Sequence, residues 1–167
     1  GRSRRPPPSE FGQLLQEKQR FKWSYGLREA QLRRLFGIAL RHPGVTGEIL
    51  LSLLERRLDN AVYRLGLAPS RSVARQFVGH GHILVNGRRT NVSSYLVRVG
   101  DIIALSSRSA GHALFQEFKA ILEKYDPPSW LSLDREKREG RVISMPKEFD
   151  APFNVNMVVD FYSRLVK

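Results

Sequence analysis

The chain contains no cysteine, which excludes disulfides, thiolate catalysis and the usual structural zinc sites from this stretch. It also lacks long hydrophobic runs. The longest extend only a few residues, as in GEILLSLL, so nothing reads as a membrane span or a signal-peptide core. A soluble intracellular protein is the default expectation. Catalytic signatures are missing too: there is no glycine-rich phosphate loop, no Ser, His and Asp set in motif context, and no carboxylate pair in an apolar pattern. The sequence opens at Gly1 and not at Met, so a head upstream of it is expected to be missing.

Acidic charge is scarce where basic charge is plentiful. Residues 1–108 hold 19 basic and 7 acidic side chains, whereas residues 109–167 balance nine against nine. The net charge of +12 and the pI near 10.7 therefore arise in the first two thirds. Such polarisation favours a phosphate backbone as partner over a membrane surface or plain solubility, because each neutralised phosphate releases counterions. Arginine outnumbers lysine among the 28 basic residues. Its planar fork suits bidentate phosphate contacts.

With 167 residues, 41% of them hydrophobic, one or two small cores are available. After a basic, proline-rich lead-in, Ser9 reads as an N-cap, and helical spacing links Phe11, Leu14, Leu15, Phe21 and Tyr25 up to a stop at Gly26. A second helix puts Leu27, Leu32, Leu35, Phe36 and Ala39 on one face and Arg33 and Arg34 on another. A third runs from Thr46 and breaks near Arg56 to Asp59. Together these make a helical subdomain, residues 1–56.

Residues 57–106 change texture. Two short helices are predicted, Leu58 to Leu65 and Ser72 to Val78, with Ser70 capping the second. HILV followed by Asn86-Gly87 is a strong hairpin signal, and a strand over Ile102 to Leu105 follows a turn at Gly100-Asp101. Residues 107–167 are expected to contain an amphipathic helix from Ala113 to Tyr125 that turns Leu114, Phe115, Phe118, Ile121 and Leu122 inward. After it come anchors at Trp130 and Leu131, a solvated charged loop around Arg135 to Arg141, a strand from Val142 to Met145, and an apolar end from Val155 to Tyr162. This segment reads as packing back on the helical subdomain. The fold class is α+β: a helical body with an inserted module of two short helices and a small β hairpin or sheet.

His80 and His82, flanked by Gly79 and Gly81, could be metal ligands, but the acids near in sequence are only Asp59 and Asp101. They read otherwise as turn residues between a helix end and a strand, or as imidazoles that donate to phosphate or stack on a base beside Arg75, Arg88 and Arg89. Arg71 and Arg75 lie four apart and share a helix face. Ser70 and Ser72 stand at that helix's start, where an anion binds well. Arg56, Arg57 and Arg64 surround the preceding helix, with Arg57 and Asp59 able to pair internally. Replacing both Arg71 and Arg75 by alanine is expected to spare folding and weaken binding to a nucleic-acid partner. No metal and no cofactor are expected.

The segment from Arg57 to Gly100, with "RLDN", "SRxxARQ", "GHxxVNG" and a closing "VxxGD", resembles the small RNA-binding fold called the alpha-L or S-four domain. The flanks "LQEKQRFKWSYGLREAQLRRLF", "TGEILLSLLERRLDN", "PSWLSLDREKREGRVISMP" and "VNMVVDFYSR" are similar to the bacterial form of the fourth protein of the small ribosomal subunit, over nearly the whole chain. That resemblance implies no enzyme but a primary binder of small-subunit (16S-type) rRNA that organises a multi-helix junction during assembly. It implies a place beside the third and fifth small-subunit proteins, with mRNA near the channel through which it enters, and a location in a cytoplasmic or organellar ribosome. By match to the family motif, RNA contacts fall on Arg56, Arg57, Ser70, Arg71, Arg75, Gln76, His80, His82, Asn86, Gly87, Arg88 and Arg89, with backbone contacts from Arg2, Arg4, Arg5, Lys18, Arg20 and Lys22. Family members commonly begin well upstream of Gly1, sometimes with a cysteine zinc knot. An RNA-modifying enzyme or ribosome-associated rescue factor carrying the same domain is the alternative; the former needs an additional catalytic domain.

Overall fold

The computed structural model describes residues 4–111, 113–117, 123–147 and 153–165. They form two units, one of residues 4–51 with 153–165 and one of residues 52–147, and the boundary falls after Leu51.

The first unit contains α1 (Glu10–Ser24), α2 (Glu29–Arg41), the start of α3 (Thr46–Glu55) and a C-terminal helix, Val155–Leu165. Ser9 caps α1 by accepting from the Gly12 N–H at 3.1 Å, and Gly26 leaves the helix at φ 66°, a left-handed angle that glycine adopts without strain. Leu14, Phe21, Leu32, Phe36 and Ala39 are buried, as are Val158, Phe161 and Tyr162 of the C-terminal helix, which packs on α1 and α2. Phe36 stacks on Tyr162 with centroids 5.1 Å apart. The Tyr162 hydroxyl donates to Glu29 at 2.9 Å, and burial, then that bond to a carboxylate, pushes its pKa up. Gly47 is buried where an added Cβ would press within 3.1 Å of Val155.

The second unit holds the end of α3, α4 (Leu58–Arg64), α5 (Arg71–Gly79), β1 (Ile83–Val85), β2 (Arg88–Arg89), β3 (Ile102–Leu105), α6 (Ser107–Ala110), α7 (Ala113–Glu117), β4 (Leu131–Asp134) and β5 (Glu139–Val142). The C-terminal helix is thus α8. The strands make one antiparallel sheet ordered β2-β1-β3-β5-β4. Its alternating residues Ile83, Val85, Ile103, Leu105, Leu131 and Val142 are buried with Leu58, Val62, Leu65, Phe77 and Val78 of α4 and α5, Phe115 of α7, and Trp130. Asn86 and Gly87 turn β1 into β2 at φ 53° and 79°, the paired positive angles that match a twisted hairpin.

The tail departs from expectation in two ways. Residues 107–147 do not belong with the helical unit; only residues 153–165 do. The stretch read as a charged excursion supplies β5, and the predicted strand from Val142 to Met145 is displaced to Glu139–Val142. The reason is pairing: β3 offers an edge that Glu139 to Arg141 fill opposite Ala104 to Ile102. Gly140 is required there because a Cβ would fall inside the Leu65 side chain. Of the helix predicted from Ala113 to Tyr125, the described residues include Ala113–Glu117, which are helical; Phe118, Ile121 and Leu122 lie outside them.

Candidate nucleic-acid interface

Charge gathers where α3 ends and α4 begins. The first N–H groups of α4 need acceptors, and the 93–95 segment provides them: Leu58 donates to Tyr95 and Asp59 to Ser93 at 2.8 and 3.2 Å. That contact turns Asp59 inward, where Arg57 grips it with two hydrogen bonds of 3.2 and 3.1 Å. Arg57 is 4% exposed and Asp59 2%. The enclosure of the Arg57 guanidinium with the carboxylate it neutralises argues against the expected RNA contact there. Arg75, on α5, reaches the same Asp59 oxygen at 3.3 Å while keeping its side chain 39% exposed.

A second network lies beside it. Arg64 makes a bidentate pair with Glu55 at 3.1 and 2.9 Å. Asn60 donates to Glu55 at 2.8 Å and accepts from Arg71 Nε at 2.9 Å. The Arg71 guanidinium also lies 4.7 Å over the Tyr63 ring, a stacked cation–π contact. Arg71 and Arg75 are half-buried, and these contacts hold each guanidinium in a set orientation. The Ser70 hydroxyl is already used as the α5 cap, accepting from Val73 N–H at 3.1 Å.

The predicted residues at the end of α5 divide in role. Gln76 and His80 are exposed. His82 is turned inward, its Nδ1 bonded to Ser109 Oγ and its ring packed edgewise near Phe77 and Phe115 at 6.0 and 5.6 Å. The two imidazoles are 6.2 Å apart. Asn86 spends both ends of its amide on the fold, donating to Asp101 and accepting from the Ile102 N–H, each at 2.9 Å. Asp101 also accepts from Tyr95 and from the Arg98 N–H. Burial raises its pKa, but these bonds outweigh that and hold it below its ordinary value of 3.8. Arg88 and Arg89 on β2 are exposed at the hairpin edge.

Arg56 is half-buried and donates to the Val97 carbonyl at 3.0 Å. Burial, then the neighbouring charge of Arg98, lowers its pKa. Arg98, just before the Gly100-Asp101 turn, and Arg141, on β5 opposite Ile102, are two further exposed cations of this unit outside the predicted set.

In the helical unit, Arg4, Arg5 and Arg20 are exposed and Lys22 half-buried; Arg2 lies outside the described residues. Burial argues in the same way against Lys18. It is 4% exposed, its ammonium 2.7 Å from Glu29 and 4.9 Å over the Phe161 ring, so it supports the packing of α1 on α8 and offers no free face to RNA.

A family model described as the S4 domain matches residues 56–103, the stretch that carries these networks. One described as the Ribosomal protein S4/S9 N-terminal domain matches residues 1–55. The chain is thus an α+β protein built around an S4 domain. Its relatives extend the match to the tail: it is 53% identical to small ribosomal subunit protein uS4 of Halothermothrix orenii, over 96% of this chain and 78% of that one. It is 49% identical to uS4 of Chloroflexus aurantiacus over 97% and 81%, and 49% identical to uS4 of Dehalococcoides mccartyi over 98% and 79%. The chain belongs to the uS4 family of small ribosomal subunit proteins. No helix among the described residues is long and apolar enough to cross a membrane.

Proposed function

We propose that this chain is a structural, RNA-binding constituent of the small ribosomal subunit. It would bind small-subunit rRNA, organise a multi-helix junction during assembly, and lie beside the third and fifth small-subunit proteins near the channel through which mRNA enters. No catalytic step is assigned to it. The observation that carries the reading is the set of half-buried arginines on α4 and α5, in a chain similar along almost its full length to proteins named uS4.

The physical argument concerns orientation. A guanidinium has five N–H donors. In Arg71 and Arg75 some are held by Asn60 or Asp59, which aims the fork before RNA arrives and lowers the entropy lost on binding. Folded RNA hides base edges in a deep, narrow major groove, so phosphates and shape are what such a surface reads. Exposed Gln76, His80, Arg88 and Arg89 extend the contact, and Arg56, Arg98, Arg4, Arg5, Arg20 and Lys22 add phosphate contacts. Ser70, His82, Asn86 and Gly87 serve through backbone shape.

The test is crosslinking in native particles. The expected result is stoichiometric co-sedimentation with small subunits and crosslinks from the α4–α5 face to rRNA near a multi-helix junction. A chain found free of subunits, or crosslinked only to RNAs outside the ribosome, would sink the proposal.

A further inference from the structure

The exposed aromatic at the end of α1 has no role in the packing just described. Trp23 is 68% exposed, two residues and about 200° around the helix from the buried Phe21. One cation lies beside it: the Lys22 ammonium is 6.0 Å from the ring centroid, whereas Arg20, exposed on the same helix, pairs with Glu17 at 2.9 Å and lies 5.4 Å from the Phe153 ring centroid. Lys22 is in turn 3.5 Å from Glu29, which pairs with Arg33 at 3.8 Å. Glu29, Arg33, Arg34 and Arg41, together with the apolar Ala30 and Ile38, line a groove of about 830 Å³ along α2 beside Gly37. Nothing would meet a Cβ at Gly37 within 4 Å, so a phosphate backbone can approach the helix closely there.

We infer that Trp23 is a stacking shelf for an unpaired RNA base, with the neighbouring phosphates of that strand running into the α2 groove. The inference rests on the RNA-binding reading above and adds a mode of contact to it. An exposed planar ring with an ammonium beside it and arginines along the next helix is what a nucleotide needs: a π-face for the base and charge for its phosphate. A protein partner would call for a contiguous apolar patch, and the other exposed apolar residues of α1, Phe11 and Leu15, lie two or more turns away along the helix. Stacking tolerates any base, so Trp23 contributes affinity for an unstacked nucleotide and little sequence preference.

The chain supplies its own reporter, because its other tryptophan, Trp130, is 3% exposed. The experiment titrates the full chain with a single-stranded adenosine decamer, and in parallel with a polyphosphate of equal charge and no bases. The red-shifted emission of Trp23 should fall by at least half with the decamer and stay with polyphosphate, while the Trp130 emission is constant in both. Trp23→Ala should abolish the quench and weaken decamer binding by about 5- to 100-fold, and Trp23→Phe should restore most of the affinity. Equal quenching by polyphosphate, or a Trp23→Ala chain that binds the decamer within two-fold of the parent, overturns the inference. If Trp23 stays bright with RNA and is quenched only in assembled subunits, a protein neighbour covers it and the inference falls. The two readings fail differently: chains that bind small-subunit RNA equally with and without Trp23 remove only the shelf, whereas a chain that binds no RNA at moderate salt removes both.

Discussion

The arginines of α4 and α5 and those of β2 belong to one domain yet stand in opposite circumstances. Arg57, Arg64, Arg71 and Arg75 each hold a partner within the fold, while Arg88 and Arg89 stand exposed on a short edge strand. In the first group, ion pairing and orientation for a ligand are the same bonds, so a truncation disturbs stability and binding together. In the second, charge is separable from the fold. Against the expectation that replacing both Arg71 and Arg75 by alanine spares folding, these contacts predict a loss of stability, read as a lower urea midpoint. Arg75 helps neutralise a buried Asp59, and removing the partner of a buried charge is costly.

The comparison breaks most visibly at its buried end. Asp59→Ala strands Arg57, 4% exposed, without its carboxylate and should destabilise the chain by about 3–5 kcal/mol, read as a lower urea midpoint. A smaller loss is expected from Gly140→Ala, since the new methyl would occupy the space of Leu65; overpacking of this kind costs about 1–3 kcal/mol. No such loss would show that β5 is not packed against α4.

Asp101 offers a test by pH. Its folded-state pKa lies below the ordinary 3.8, so the unfolded chain takes up the proton first and the group's share of stability is present above that range. That share is lost as pH falls through the lowered value. Asp101→Asn should flatten the acid limb of a stability–pH curve, leaving Glu29, also held low because its bonds to Lys18 and Tyr162 outweigh its burial, as a remaining contributor.

The smallest structural effect belongs to the exposed pair. Arg88→Ala with Arg89→Ala should shift stability by less than about 0.5 kcal/mol, yet make the logarithmic salt slope for a small-subunit RNA fragment shallower by about two. An unchanged slope would remove β2 from the interface and leave α4 and α5 to carry it alone.

Much of this was legible in the chain itself. Ser9, Gly26, Ser70 and Asn86-Gly87 mark element ends by local backbone chemistry, and each acts where its residue type predicts. The motif that named the module is also local, since it runs through two helices and a hairpin that follow one another. The misplaced tail was not legible for the opposite reason. EGRV joins the sheet because β3 has an open edge and Leu65 fills the space above Gly140, and both facts lie many residues away. Lys18 and Arg57 were chosen as contacts for their charge, which says nothing about whether Glu29 or Asp59 waits inside.

The sequence alone determined the α+β class, the RNA-directed charge and the family, because composition, caps, turns and contiguous motifs act over short chain distances. Tertiary structure alone decided which cations face outward. A side chain's exposure depends on what packs against it from elsewhere in the chain, and the same burial that encloses Lys18 and Arg57 leaves Arg88, Arg89 and Trp23 open to a partner.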